Sequence, residues 1–185
     1  MATVNEAPIE GVKLIDLIGH DDTRGVFVET YRKEWLPGAR EMIQGNRADR
    51  QAGSLVGLHF HPTQADYWYV CAGAAQIVLY DLRIGSPTQG KIMSIEAGQS
   101  QDGSFNHMAV YIPPGVGHGF AAITDITLTY LVDSYYTTAE EMGIIWNDED
   151  IAAPWQLKDP VLSDRDQLHP QLAKLGDLQP RYHSA

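Results

Sequence analysis

Short segments rich in β-branched and aromatic residues follow one another along most of this chain, and almost no helical pattern separates them. Several of the segments alternate with a period of two, as half-buried strands do. Many strands without intervening helices are typical of an antiparallel sandwich or barrel, and a jelly roll is one stable form of it. We predict nine strands, at residues 12–18, 26–31, 55–60, 66–72, 75–83, 91–96, 108–113, 118–123 and 126–133.

Two further patterns refine this prediction. Along 75–83, Val78 and Leu82 share one face of the strand, whereas Ile77 and Leu79 share the other. A helical signal begins only at 138–142, where Thr138 is a candidate N-cap, and short helices are expected near 164–175. The expected fold is therefore all-β, with a few short C-terminal helices.

The composition is that of one globular domain. The chain has 185 residues, of which 44% are hydrophobic and 20% are charged, so it can bury a substantial core. We expect a single domain over residues 1–185. The 24 acidic residues outnumber the 13 basic ones and leave a formal net charge of −11, which argues against nucleic acids and anionic membranes as partners.

The expected compartment is the cytoplasm. Cys71 is the only cysteine, so no intrachain disulfide can form, and we expect it to be a small buried side chain. The first eight residues lack the basic and apolar regions of a signal peptide. No run approaches the ~20 apolar residues that a membrane-spanning helix needs.

The densest group of residues that carry chemistry begins at His59. His59 and His61 alternate with Phe60, so on a strand both imidazoles point to the same face. Asp66 follows the next turn, and His118 follows a Pro-Gly turn. Three imidazoles and a carboxylate are suitable ligands for a transition metal, and their spacing is similar to that of the metal-binding cupins. In the alternative interpretation, these histidines line a cavity or make structural hydrogen bonds.

A second resemblance covers much more of the chain. It is carried by ordered segments, which are DTRGVFVE (22–29), QGN (44–46), GLHF (57–60), DLR (81–83), GSPT (85–88), IPPG (112–115), HGF (118–120), Tyr130, YY (135–136), GIIWND (143–148) and LSDRD (162–166). With these segments the sequence resembles, from about residue 9 to 172, the dTDP-4-dehydrorhamnose 3,5-epimerase family of nucleotide-sugar epimerases, which leaves a C-terminal tail at about 173–185. The resemblance implies a cupin-type jelly-roll barrel of antiparallel strands, a homodimer, and a site that normally holds no metal.

The resemblance also implies roles for individual residues. His59 corresponds to the general base, Asp166 to the carboxylate that orients it, and Tyr130 to the general acid on the opposite face of the sugar. Other matching positions hold the nucleotide, some of them across the dimer, or supply a second tyrosine to the site. With the remaining polar residues of the histidine motif, the expected substrate-binding set is Arg24, Glu29, Gln44, Asn46, His61, Asp66, His118 and Tyr136.

This assignment is chemically coherent. A ketone at C4 of the sugar acidifies the protons on C3 and C5, and an imidazole can remove such a proton at neutral pH. A carboxylate on the other ring nitrogen fixes the tautomer and stabilises the imidazolium. A tyrosine on the opposite face then returns a proton and inverts the carbon. The expected activity is therefore an isomerase reaction, the epimerisation of a dTDP-linked or related 4-keto-6-deoxyhexose in deoxysugar biosynthesis, with no cofactor.

The chain departs from the family pattern at several positions of the site. Val56 replaces an arginine, Ile77 replaces an aspartate, and His61 replaces a residue that is commonly glutamine. Asp66 occupies the position of a lysine that would stabilise the enolate oxygen, and a carboxylate there opposes the developing charge. We therefore expect an active site that is altered relative to the family.

Two alternatives to the metal-free epimerase remain at this point. One is a metal-dependent cupin isomerase or oxygenase, in which His59, His61, Asp66 and His118 bind one divalent transition metal. Because a metal-bound His59 cannot also be the free base, this mechanism competes with the first one for the same residue. The other alternative is a sugar-nucleotide binder whose catalysis has degraded.

Overall fold

Two six-stranded antiparallel sheets form the body of the molecule in the computed structural model, which describes residues 2–137 and 141–183. The first sheet contains, in spatial order, β1 (Thr3–Glu6), β2 (Lys13–Asp16), β11 (Met108–Ile112), β7 (Asp66–Ala72), β13 (Ile126–Val132) and β5 (Gln44–Arg50). The second contains β10 (Phe105–Asn106), β9 (Ile92–Gln99), β8 (Ala74–Asp81), β12 (Val116–Ala122), β6 (Leu55–Phe60) and β14 (Met142–Gly143). The prediction of an all-β jelly roll of antiparallel strands is confirmed.

The main core fills the space between the two sheets. Trp68, Val70 and Leu128 reach it from the first sheet, and Ile77 and Leu79 reach it from the second. Each comes from a strand in which alternate residues point inward, so the period-two pattern of the sequence becomes a layer of interdigitating side chains.

The outer face of the second sheet is also buried. Val78 and Leu82 pack there against Ile144, Ile151 and Leu175 of the C-terminal third of the chain. Both faces of β8 are therefore covered, which explains why its two alternating sets are both apolar. The opposing faces predicted for 75–83 are confirmed.

The C-terminal segment contains only short helical elements. The α-helix α1 (Asp164–Gln167) begins at Ser163, whose hydroxyl accepts a hydrogen bond from the Asp166 amide at 3.1 Å. Single 3₁₀ turns follow at Leu172–Lys174 and Gly176–Leu178. Short helices near 164–175 are thus confirmed, whereas the candidate cap Thr138 lies outside the described residues.

A two-stranded hairpin lies apart from both sheets. It consists of β3 (Gly19–Asp22) and β4 (Gly25–Val28), which pair with each other alone among the named strands. Its apolar side chains Val26 and Phe27 are 52% and 69% exposed. A segment beyond it, with one 3₁₀ turn at Lys33–Trp35, packs on the outer face of the first sheet.

The expectation for Cys71 was wrong. Its side chain is exposed near the end of β7, where the thiol lies 3.3 Å from the Thr129 hydroxyl. β7 is buried continuously from Asp66 to Val70, and its last two residues, Cys71 and Ala72, are exposed. No helix among the described residues is long and apolar enough to cross a membrane.

Candidate active site

The site begins where β6 and β12 run side by side, with His118 opposite His59. The register of this pair shifts between His118 and Phe120, where Gly57 and Gly119 face each other. A Cβ atom added at Gly57 would lie 2.7 Å from the Gly119 Cα, and one at Gly119 would lie 2.6 Å from the Val56 carbonyl oxygen. The two strands therefore approach so closely that both positions require glycine.

His59 is paired with the buried carboxylate of Asp166. The two side chains are contributed by β6 and α1, and His59 Nε2 lies 2.6 Å from Asp166 Oδ1. Burial by itself would raise the pKa of Asp166, but the hydrogen bonds from His59 and Ser163 outweigh it and hold the pKa below its usual value. The carboxylate is therefore ionised at neutral pH, and it can orient the imidazole and stabilise its protonated form.

His169 is a part of this site that the sequence did not reveal. Its ring lies edge-on to that of His59, with centroids 5.3 Å apart, and its Nδ1 atom is 3.8 Å from Asp166 Oδ1. That nitrogen is buried without a hydrogen-bond partner. Gly143 makes room for the ring, since a Cβ atom there would lie 2.3 Å from His169 Cε1. Sequence reasoning did not find His169, because it lies beyond the last matching motif, LSDRD (162–166).

A second cluster contains His61, Asp66 and His118. One possible ligand atom from each lies within 4.8 Å of the others, and all three residues are buried. His118 donates from Nδ1 to the Val116 carbonyl oxygen at 2.9 Å. Burial, only partly opposed by the charge of Asp66, lowers the pKa of His118 to about 4, so this imidazole is neutral at physiological pH.

His59 falls outside this second cluster. Its ligand atom is grouped with Asp166 and His169 instead. The set of four metal ligands expected from spacing is therefore divided between two clusters, with three of its members in one of them. His61 follows the last residue of β6, Phe60, so the alternation of the strand does not extend to it.

His59 of the first cluster and all three residues of the second line one cavity of about 150 Å³. Tyr130 on β13 lines it together with His59, so the expected base and acid share one space. Burial, then the charges of Asp66 and Glu141, raise the pKa of Tyr130, which keeps the phenol protonated at neutral pH. The other lining residues are Ala48, Arg50, Val56, His61, Gln64, Asp66, Trp68, His118, Phe120, Leu128, Glu141 and Arg165.

Two arginines supply positive charge at the cavity, and sequence reasoning missed both. Arg50 lines it from β5, and Arg165 lines it from α1. The Arg165 guanidinium lies 3.4 Å from His59 Nε2 and 3.1 Å from the Glu141 carboxylate. Arg165 is adjacent to Asp166 in the chain, which was the one signal that could have revealed it.

Gln44, Asn46 and Tyr136 lie together beside the cavity. Gln44 donates to the Asn46 side chain at 2.9 Å and accepts from the Tyr136 amide at 3.2 Å. Gln44 and Asn46 share a face of β5 with Ala48 and Arg50, because alternate residues of a strand point the same way. Asn46 pairs with Tyr130 in the sheet. Gln44 and Asn46 therefore lie on the face of β5 that also carries the cavity residues Ala48 and Arg50.

Arg24 and Glu29 are not brought to the cavity of their own chain. Arg24 lies in the turn of the β3–β4 hairpin, where it pairs with Asp22 at 2.5 Å, and its side chain is 88% exposed. Glu29 follows β4 and pairs with Arg32. Neither is among the described residues that line the cavity.

Comparison with known proteins agrees with this geometry. The family model described as dTDP-4-dehydrorhamnose 3,5-epimerase matches residues 6–174. The chain belongs to this family. The dTDP-4-dehydrorhamnose 3-epimerase of Streptomyces niveus is 38% identical over 184 residues, covering 94% of this chain and 86% of the relative. The dTDP-4-dehydrorhamnose 3,5-epimerase of Sinorhizobium fredii is 33% identical, covering 90% of this chain and 88% of the relative.

Solved structures of epimerases have the same fold as this member of the dTDP-4-dehydrorhamnose 3,5-epimerase family. The enzyme of Legionella pneumophila, solved with dTDP-4-keto-L-rhamnose, superposes with a TM-score of 0.89 at 29% identity and complete coverage of both chains. A 4-keto-6-deoxy sugar epimerase from the novobiocin gene cluster of Streptomyces spheroides has a TM-score of 0.88 at 35% identity, covering 98% of this chain and 94% of that one. The family predicted from the ordered motifs is confirmed.

Proposed function

We propose that this protein epimerises a dTDP-linked 4-keto-6-deoxyhexose at C3, C5 or both, in the biosynthesis of a deoxysugar. The observation that carries the proposal is the hydrogen bond between His59 and the buried Asp166 carboxylate, together with the cavity that His59 and a protonated Tyr130 both line. The names of the relatives support the substrate class, since they are 3-epimerases and 3,5-epimerases of dTDP-sugars. We also propose that it works in the cytoplasm.

The proton transfers follow from the geometry of the pair. His59 Nε2 is bonded to Asp166, so Nδ1 is the ring nitrogen left to take the proton from the carbon beside the ketone. The electron pair of the broken C–H bond forms a double bond from that carbon to C4, and the π electrons of the C4 ketone move to its oxygen to give an enolate. Tyr130 then donates its phenolic proton to the opposite face of the carbon, and exchange with solvent returns both residues to their starting forms.

The size of the cavity supports separate binding places for the sugar and the nucleotide of the substrate. At about 150 Å³ it is smaller than the ~300–1,000 Å³ of pockets that enclose a whole drug-sized ligand. The sugar would occupy it, and the nucleotide would extend along the face of β5 that carries Gln44 and Asn46, with Tyr136 beside them. His61, Asp66 and His118 would then contact the sugar.

The proposal includes an altered active site, in which the change at Asp66 has the clearest chemical consequence. Asp66 is buried in the cavity where the family resemblance leads us to expect a lysine. Its carboxylate opposes the charge of the enolate, and Arg50 and Arg165 are the arginines that line the same space. These residues would determine which carbon is inverted and how fast.

We further propose a homodimer that completes the nucleotide site. Arg24 and Glu29 lie on or beside a hairpin that projects from the body of its own chain, and Val26 and Phe27 leave apolar surface on that hairpin exposed. Packing of the hairpin against a second copy would cover this surface and bring Arg24 toward the partner's substrate.

The decisive experiment is exchange of substrate protons with solvent. Incubation of dTDP-4-keto-6-deoxyglucose with the enzyme in D₂O, followed by proton NMR, should show loss of the C3 or C5 signal, and the position that exchanges identifies the carbon. His59→Asn and Tyr130→Phe should each reduce the turnover. A wild-type protein that binds the nucleotide sugar without any exchange would contradict the proposal and favour a binding protein.

A further inference from the structure

The division of the histidine motif into two clusters leaves His61, Asp66 and His118 together without a role in proton transfer. One possible ligand atom from each lies within 4.8 Å of the others. His61 Nε2 and Asp66 Oδ1 are 3.9 Å apart, and the rings of His61 and His118 have centroids 5.1 Å apart. All three residues line the cavity that we assign to the sugar.

Asp66 is a buried carboxyl group whose hydrogen-bond partners are both neutral side chains. Its Oδ1 accepts a hydrogen bond from the Gln64 amide and its Oδ2 accepts one from the Trp68 indole, both at 2.9 Å. Both donors are neutral. Among the described residues, the only ion-pair partner of Asp66 is His61, at 3.9 Å. Because buried carboxylates in proteins are normally paired with a cation or bound to a metal, and neither cavity arginine forms an ion pair with Asp66, this arrangement favours a cation bound directly to it.

His118 has the orientation that metal-binding histidines show. Its Nδ1–H donates to the Val116 carbonyl oxygen, so Nε2 is the ring nitrogen left to bind a ligand. Histidines that bind metals usually donate their other ring N–H to a backbone carbonyl or carboxylate in this way. The edge contact with Trp68, with centroids 5.2 Å apart, further restricts the ring.

We propose that His61, Asp66 and His118 bind one divalent first-row transition-metal ion at the floor of the cavity. Two imidazoles and one carboxylate suit zinc, iron, manganese or nickel, and three protein ligands leave coordination positions open toward the cavity. Metal bonds of about 2.1 Å would draw the three ligand atoms closer together than they now are, which needs side-chain movements of about 1 Å.

The site leaves the proton-transfer residues intact. His59 is held by Asp166 outside the cluster, so metal binding and general-base action no longer compete for one residue. Resting on the proposed function, the ion would attract the C4 oxygen of the sugar and reverse the unfavourable charge of Asp66 as the enolate forms. One metal ion would thereby take the place of the lysine.

Metal titration of the full-length protein tests the site directly. Chelator-treated protein is titrated with Co²⁺ and followed by its visible absorption, and Zn²⁺ is then added as a competitor. We expect one bound equivalent, displaced by Zn²⁺. Asp66→Asn and His61→Gln should each weaken binding by more than the ~10–100-fold that the loss of an outer-shell partner costs. Circular dichroism shows whether each variant is folded.

Two control variants locate the ion. His183→Gln removes an exposed histidine near the C-terminus, and His169→Gln removes a member of the other cluster. Both should bind Co²⁺ like the wild type. Absence of saturable binding, or binding that survives in both Asp66→Asn and His61→Gln, would overturn the proposal. Binding lost only in His169→Gln would place the ion at the other cluster and overturn it equally.

The outcome is separable from that of the proposed function. Stoichiometric metal without any solvent exchange at C3 or C5 would refute the epimerase proposal and leave the metal site standing. Full exchange activity in protein that binds no metal would refute the metal site and leave the epimerase proposal standing.

Discussion

Asp166 is buried at the end of a one-turn helix, and its carboxylate has His59 as its hydrogen-bonded partner. Because its pKa lies below the usual aspartate value, the carboxylate stays ionised well into the acidic range. At neutral pH the Asp166 carboxylate is therefore available both to orient the His59 imidazole and to stabilise its protonated form. The folded state gains stability from this ionised form above the aspartate pKa of the unfolded chain, and loses it as the pH falls through the lower folded value.

Asp166→Asn should reduce the rate of solvent exchange into the sugar by ~10²–10⁴-fold, the range over which general-base catalysis operates. The amide still fits the space but cannot stabilise a protonated imidazole. The measurement is proton NMR in D₂O at saturating substrate. Asp164→Asn, an exposed carboxylate on the same helix, is the matched control and should retain the wild-type rate. Equal exchange rates in Asp166→Asn and the wild type would show that the Asp166 carboxylate does not assist His59 in proton transfer.

Glu141→Gln should move the alkaline limit of activity to lower pH. A general acid must be protonated, so activity falls as the pH rises through the pKa of Tyr130, and that pKa is raised partly by the charge of Glu141. Removing this charge lowers the pKa of Tyr130, so the alkaline limb of the pH–rate profile shifts to lower pH. Glu149→Gln, which is exposed, should leave the limb in place. An unchanged limb in Glu141→Gln would show that Tyr130 does not titrate there.

Among the secondary-structure elements, the close pair β6 and β12 positions both clusters. β6 carries His59, and β12 carries His118 directly opposite. The approach at Gly57 and Gly119 brings the two backbones close enough for these imidazoles to face one cavity. Glycine at these positions is thus a requirement of the site's geometry and not of a turn.

Gly57→Ala should destabilise the protein more than Gly53→Ala. Both glycines have positive φ, +114° and +86°, so each substitution incurs the left-handed backbone cost of ~1–2 kcal/mol. A Cβ atom at Gly53 meets nothing within 4 Å, whereas at Gly57 it meets the β12 backbone at 2.7 Å. Overpacking should add ~1–3 kcal/mol to the loss at Gly57, measured as the free energy of unfolding in urea. Equal losses at both positions would show that the strands can separate without cost.

At the scale of the whole molecule, the β3–β4 hairpin leaves apolar surface uncovered. Among the named strands, β3 and β4 pair only with each other, and Phe27 is 69% exposed. The hairpin also carries Arg24, which is too far out to line the cavity of its own chain. A second copy would complete both the packing and the nucleotide site.

Phe27→Ser should weaken the dimer and raise the KM for the dTDP-sugar, while leaving the fold of each chain intact. Light scattering coupled to size-exclusion chromatography measures the mass, and exchange kinetics measure KM. Leu178→Ser, 57% exposed near the C-terminus, is the matched control and should keep the dimer. A wild-type protein that elutes as a monomer at assay concentration would contradict the shared site.

Several features could be predicted from the amino-acid order, because local sterics determine them. Period-two alternation identified β8 and both of its buried faces, and a run of ordered motifs identified the family and the expected base, acid and carboxylate. β5 escaped prediction, since its sequence QGNRADR contains no apolar alternation. It forms at a sheet edge, where pairing to β13 holds it and an apolar face is not needed.

The grouping of the polar residues required the three-dimensional structure. Spacing in the sequence placed His59 and His61 on one strand face, but β6 ends at Phe60, and long-range contacts then separate the two imidazoles. Asp166 is 107 residues from His59 in the sequence, and its position on α1 places it in one cluster with His59. Asp66 of β7 and His118 of β12 form the other cluster with His61. Strand pattern is a property of neighbouring residues, whereas a charge pair or a metal site is a property of side chains that meet only after the sheets have packed.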